Sequence, residues 1–127
     1  MFEISYATVN DIELLCGNAG EPLSRDECIS KINGKKCYIL RYDGKSIGVM
    51  RYNLFWDFIP FLTLISIDEA YQDKGFGTKA MAHFENDMRS LGHTFVMLST
   101  GADESAQHFY RKLGYLDMGA IAMDTTP

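Results

Sequence analysis

Apolar and polar residues alternate from Phe2 to Tyr6, the period of a strand with one face buried. Thr8 then precedes a helical spacing of Ile12, Leu15 and Cys16, so a helix capped by Thr8 is expected, interrupted from Asn18 to Pro22. Ser24 and Glu27 form an S-x-x-E capping pattern ahead of Cys28, Ile29 and Ile32, which predicts a second helix stopping at Asn33-Gly34. Two β-rich runs, Cys37 to Tyr42 and Lys45 to Leu54, are joined by Asp43-Gly44, the dipeptide favoured by a type I′ hairpin turn. Phe61 to Ile67 is almost wholly apolar, as a central strand covered on both faces requires. From Gly75 to Leu91 the positions Gly77, Met81, Phe84, Met88 and Leu91 share one helical face, with Gly92 as the stop. Phe95 to Leu98 reads as a short strand, Ala106, Phe109, Tyr110 and Leu113 as the stripe of a last helix, and Tyr115 to Met123 as a last strand.

The resulting order, β-α-α-β-β-β-α-β-α-β, predicts a mixed α/β fold with helices packed on one curved sheet. At 127 residues the chain is one domain, residues 1–127, without repeats or linkers. Its 46% hydrophobic and 23% charged residues suit an ordinary core. No apolar run is long enough to cross a bilayer and the N-terminus lacks a leader pattern, so a cytoplasmic protein is expected. Cys16, Cys28 and Cys37 lack C-x-x-C spacing and read as buried free thiols; with the scattered His83, His93 and His108 they suggest no metal site. A net charge of −5 argues against a nucleic-acid surface and suits a cationic substrate.

Chemistry concentrates between Ile65 and Met81, where an apolar strand enters a loop with Gly75 and Gly77 and then a helix. A helix start offers unpaired N–H groups and partial positive charge to a phosphate, and glycines let the backbone approach it. Lys74 adds a mobile charge. Alone, the loop is equally that of a plain strand-to-helix turn. It matches neither the G-x-G-x-x-G dinucleotide pattern nor the G-K-[ST] ending of a P-loop, which disfavours a nucleotide-binding module.

A second segment runs DESAQHFYRKLGY from Asp103 to Tyr115. In this order and at this separation the two segments resemble the Gcn5-related N-acetyltransferase family. Gln72, Gly75 and Gly77 match its pyrophosphate loop; Ala106, Phe109, Tyr110, Lys112, Gly114 and Tyr115 match its second motif. The resemblance implies a mostly antiparallel curved sheet with helices on both faces and a splayed strand pair that admits coenzyme A. It also implies acetyl-CoA as co-substrate, with direct attack of an amine on the thioester. Carried over, the main chain of Ile65 and Ile67 would pair with the pantetheine arm, and the amides of Asp73, Lys74, Gly75, Phe76, Gly77 and Thr78 would hold the diphosphate. Tyr110 would protonate the leaving thiolate, its plainer role being core. Asp103 stands where the family has asparagine, so it is either a cofactor contact or only a helix N-cap. The final strand is either cut short or completed by a partner chain, which raises a homodimer as an expectation.

The acceptor end is less legible. The stretch where some relatives carry a glutamate base is Pro60-Phe61-Leu62, leaving Asp57 and Glu69 as substitutes that are equally ordinary solvated acids. Arg51 to Phe58 lies between two strands, with Trp56 and Asp57 placed to hold an organic cation or to form part of a core or dimer seam. Arg51 would instead attract an acidic substrate. Two function classes follow: an N-acetyltransferase acting on a small-molecule or peptide amine, and a CoA-binding domain without turnover.

Overall fold

The β-branched and aromatic runs do become a sheet, and the helical spacings its covering layers. The computed structural model describes residues 1–17, 24–99 and 106–116. Strands β1 (Phe2–Tyr6), β2 (Cys37–Tyr42), β3 (Lys45–Phe55), β4 (Ile59–Ile67) and β5 (Met97–Leu98) form one sheet in that spatial order. The first three pairings are antiparallel and β4–β5 is parallel. Helices α1 (Ile12–Gly17) and α2 (Arg25–Asn33) follow β1, α3 (Phe76–Ser90) follows β4, and α4 (Ala106–Lys112) follows β5.

Strand alternation divides the buried residues into two cores. On one face Ile12, Leu15, Cys28 and Ile32 of the first two helices pack on Ile39 and Val49. On the other, Ala80, Met81, Phe84 and Met88 of α3 and Tyr110 of α4 pack on Tyr38, Met50, Tyr52 and Leu62. Helices therefore cover both faces, as expected.

Local chemistry fixes the element ends. Asp43 and Gly44 have φ of 49° and 82°, both left-handed as a type I′ turn requires. Thr8 caps through a reciprocal box in which its N–H donates to Asp11 Oδ2 at 2.9 Å, but Val9–Asp11 is a 3₁₀ turn and the α-helix begins only at Ile12. Asp11 in turn accepts from Arg41 at 2.9 Å, pinning that turn to β2. Ser24 caps α2 by accepting from the Glu27 N–H at 3.1 Å.

Four expectations are corrected. Leu91 is 56% exposed, because α3 ends at Ser90 and the residue beyond it leaves the apolar stripe. The segment from Arg51 to Phe58 is not a connection between strands: β3 runs to Phe55 and β4 starts at Ile59, so only a three-residue turn remains. β5 is shorter than Phe95 to Leu98, with Phe95 exposed ahead of it. Finally, Cys28 is disulfide-bonded, whereas Cys37 is the buried free thiol expected. The break at residues 18–22 and the last strand beyond Leu116 lie outside the described residues.

Candidate functional site

The open edge of β4 is the centre of the site. The Asp68 N–H donates to Ile47 O at 2.7 Å, which sets the alternation of the antiparallel β3–β4 ladder. Leu64 and Ser66 therefore turn their peptide groups toward β3, and Ile65 and Ile67 turn theirs to the opposite side. On that side β5 pairs only with Phe61 and Leu62. The two strands part where β4 carries a bulge: Arg51 faces Leu64 and Tyr52 faces Leu62, so Thr63 is the extra residue. Its hydroxyl donates to Arg51 O at 3.1 Å. Beyond the bulge, no described strand pairs with this edge, and an extended ligand with amide groups could add to it as a strand.

The edge leads directly to an anion cradle. After β4 a 3₁₀ turn, Glu69–Tyr71, is followed by Gln72, whose side-chain amide donates to Ile67 O at 2.8 Å and folds the loop back on the strand. Asp73 and Gly75 adopt φ of 60° and 84°, and Gly75 forms the N-cap of α3. The first amide of the helix to find an acceptor within it is that of Lys79, bonded to Gly75 O at 3.2 Å, so the N–H groups of Phe76, Gly77 and Thr78 project from the helix start. A Cβ at Gly75 would meet nothing within 4 Å, so the space in front of these amides is open. Lys74 and Thr78 are exposed beside it, and the first turn holds no acidic residue. The Phe76 side chain points the other way, stacked on Phe2 at 4.7 Å, so only its amide faces the cradle. These residues fit a diphosphate.

Packing around Gly77 joins the cradle to α4. A Cβ there would stand 3.4 Å from Phe109 Cζ and 3.9 Å from Ile67 Cδ1, so this glycine lets the end of β4, the start of α3 and α4 converge. Tyr110, next to Phe109, is buried, with its ring 5.9 Å from that of Tyr115. Burial pushes its phenol pKa up, keeping it protonated. Ile65, Ile67, Gln72 to Thr78 and Tyr110 are thus assembled at one place, with the Gln72 side-chain amide bonded to the strand. Asp103 lies outside the described residues.

The acceptor candidates are not brought together. Arg51 is 2% exposed, and its charge bears on Cys37 and Lys31 of the α1–α2 face. Trp56 and Asp57 form the β3–β4 turn; the six steps along β4 from Ile59 to Ile65 put them roughly 20 Å from the open edge. Glu69 is exposed at the opposite, cradle end. The bulge at Thr63 was the feature the sequence reading missed. Its one signal is a polar residue interrupting the apolar run Phe61 to Ile67.

The model of the acetyltransferase (GNAT) family matches residues 6–115. None of the curated proteins matches at the level of sequence. Among solved structures, Ard1 from Thermoplasma volcanium is 18% identical with a TM-score of 0.78, over 93% of this chain and 84% of that one. PaiA N-acetyltransferase from Thermoplasma acidophilum, solved with coenzyme A, is 17% identical with a TM-score of 0.74, over 89% and 88%. The ribosomal-protein-S18-alanine N-acetyltransferase from Escherichia coli is 22% identical with a TM-score of 0.73, over 94% and 80%.

Proposed function

The chain belongs to the acetyltransferase (GNAT) family, and from that premise we propose that it transfers an acetyl group from acetyl-CoA to a primary amine of a small molecule or peptide. The observation that carries this reading is the continuity of the β4 edge at Ile65 and Ile67, which no described strand covers, with the amides that open α3. An extended arm bearing amides and a diphosphate needs both, in that order. The solved relative holding coenzyme A supports the same donor.

When bound, acetyl-CoA supplies a thioester whose carbonyl carbon an amine attacks and whose thiolate leaves. The main chain of Ile65 orients the arm, and the amides of Gly75 to Thr78 with Lys74 hold the anionic end. Tyr110 Oη holds the proton that the departing sulfur needs, and its burial keeps water from that proton. Asp57 lies roughly 20 Å along the strand from the open edge and Glu69 at its cradle end, so the amine loses its proton to other groups or to solvent, or enters as the free base.

Release of free thiol from acetyl-CoA, followed across amino acids, polyamines, aminoglycosides and short peptides, tests the reading. Turnover with at least one class is expected. Thiol release with none of them, while coenzyme A still binds, would favour a CoA-binding domain without turnover. The separation of Trp56 and Asp57 from the edge, roughly 20 Å along β4, is what motivates that second reading.

A further inference from the structure

The β3–β4 turn carries a group of side chains that the transfer reaction does not use. The Phe58 N–H donates to Phe55 O at 3.2 Å, closing a turn whose central residues, Trp56 and Asp57, have φ of 52° and 69°. Asparagine and glycine suit such positions; a tryptophan there costs conformational free energy and packs no core in return. Trp56 is 71% exposed, Phe58 64% and Phe95 50%. The Phe55 ring lies 4.7 Å from that of Trp56 and 5.9 Å from that of Phe61, both tilted, which ties the tip to β4. Phe58 and Phe95 line a groove of about 160 Å³, with Ile59, Pro60, Gly92, His93 and Thr94.

We propose that this tip and groove are a docking site for a cationic polypeptide segment, in which a lysine or arginine lies over Trp56 against Asp57 while a neighbouring apolar side chain enters the groove. Charge decides the occupant. Asp57 is an exposed carboxylate between the exposed Trp56 and Phe58 in sequence, no lysine or arginine lines the groove among the described residues, and the whole chain carries −5. An aromatic face beside a carboxylate attracts an organic cation and repels anionic partners. Size decides its class. The groove admits one side chain, whereas a pocket for a free small molecule is typically about 300 Å³ or more. The site lies roughly 20 Å along β4 from Ile65, so it acts on a chain and not on the reacting amine itself. If the proposed transfer holds, this surface selects protein or peptide acceptors with a basic, partly apolar stretch remote from the modified amine.

Trp56 is the chain's only tryptophan, so its emission reports on this site alone. The test titrates the whole protein, without acetyl-CoA, with an eight-residue peptide of alternating lysine and leucine, and with its glutamate–leucine counterpart. A saturable emission change with the first and none with the second is expected. Asp57→Asn, at an exposed position, should weaken that binding at least about fivefold while leaving the far-UV spectrum unchanged. No emission change, an equal response to both peptides, or indifference to Asp57→Asn would overturn the proposal. So would an emission shift on concentrating the protein alone, which assigns the tip to a second copy, or on adding phosphatidylglycerol vesicles, which assigns it to a membrane. Because no acyl donor is present, failure here leaves the transfer reading untouched, and loss of thiol release leaves this one untouched.

Discussion

The Tyr115 hydroxyl donates to Glu85 Oε2 at 2.7 Å, tying the turn after α4 to the middle of α3. The same residue's N–H bonds to Tyr110 O at 3.1 Å, and its ring packs edge-on against Tyr110. Tyr115→Phe removes a half-buried bond to a carboxylate and should lower stability by about 1–2 kcal/mol in urea denaturation. A loss below about 0.3 kcal/mol would mean the bond is matched by solvent.

Tyr110→Phe keeps the ring and its packing and removes only the proton donor. We expect kcat to fall by about 100-fold with the KM for acetyl-CoA unchanged. Since burial raises the phenol pKa, the wild-type rate should not decline through the ordinary phenol range, and a pH–rate profile checks this. A fall in kcat beginning below the ordinary phenol range would assign the acid to another group.

Gly75 and Gly77 differ in what they do. Gly75 has a φ of 84°, so Gly75→Ala should cost about 1 kcal/mol through backbone strain, although its Cβ meets nothing. It should also weaken coenzyme A binding at least about tenfold, because relief of that strain shifts the turn that presents the helix amides. Gly77 is helical and its Cβ would lie 3.4 Å from Phe109, where the gain in helix propensity, about 1 kcal/mol, offsets the close contact. Gly77→Ala should therefore stay within about 0.5 kcal/mol of wild type in the same denaturation series.

Asp87 accepts from both Tyr6 and the fully buried Tyr38 at 2.6 Å. Burial, then the bond to Asp87, pushes the Tyr6 pKa up to about 12 and raises that of Tyr38 further. The folded chain thus holds these protons more tightly than the unfolded one, whose phenols titrate near 10.0. The stabilisation is complete below that pH and is lost as pH climbs from there toward 12. Thermal unfolding between pH 8 and 11 should show the midpoint dropping above about pH 10. Asp87→Ala leaves a buried hydroxyl without its acceptor and should cost about 2–3 kcal/mol at neutral pH, with a flatter alkaline slope.

Much of this arrangement can be read from residue pattern. Asp43-Gly44 announces its turn, and Gly75 and Gly77 announce the cradle, because glycine at a positive φ or a close approach has few other reasons to be there. The turn at Trp56 and Asp57 hides, since it uses a tryptophan where a glycine or asparagine would have marked it. The bulge at Thr63 hides for a related reason: one extra residue changes which side chains share a face without changing composition. The bond from Gln72 to Ile67 O hides as well, because a loop glutamine has two partners within reach, a ligand and the strand it follows. The burial of Arg51 hides because it is a tertiary outcome, decided by what packs around β3.

Isothermal calorimetry with coenzyme A, compared with pantetheine, tests the central claim most directly, since the two share the arm and differ in the diphosphate end. The structure predicts micromolar binding of coenzyme A and at least about 100-fold weaker binding of pantetheine, with Gly75→Ala narrowing the difference. Equal affinity for both ligands, or no heat with coenzyme A at millimolar concentration, would contradict it.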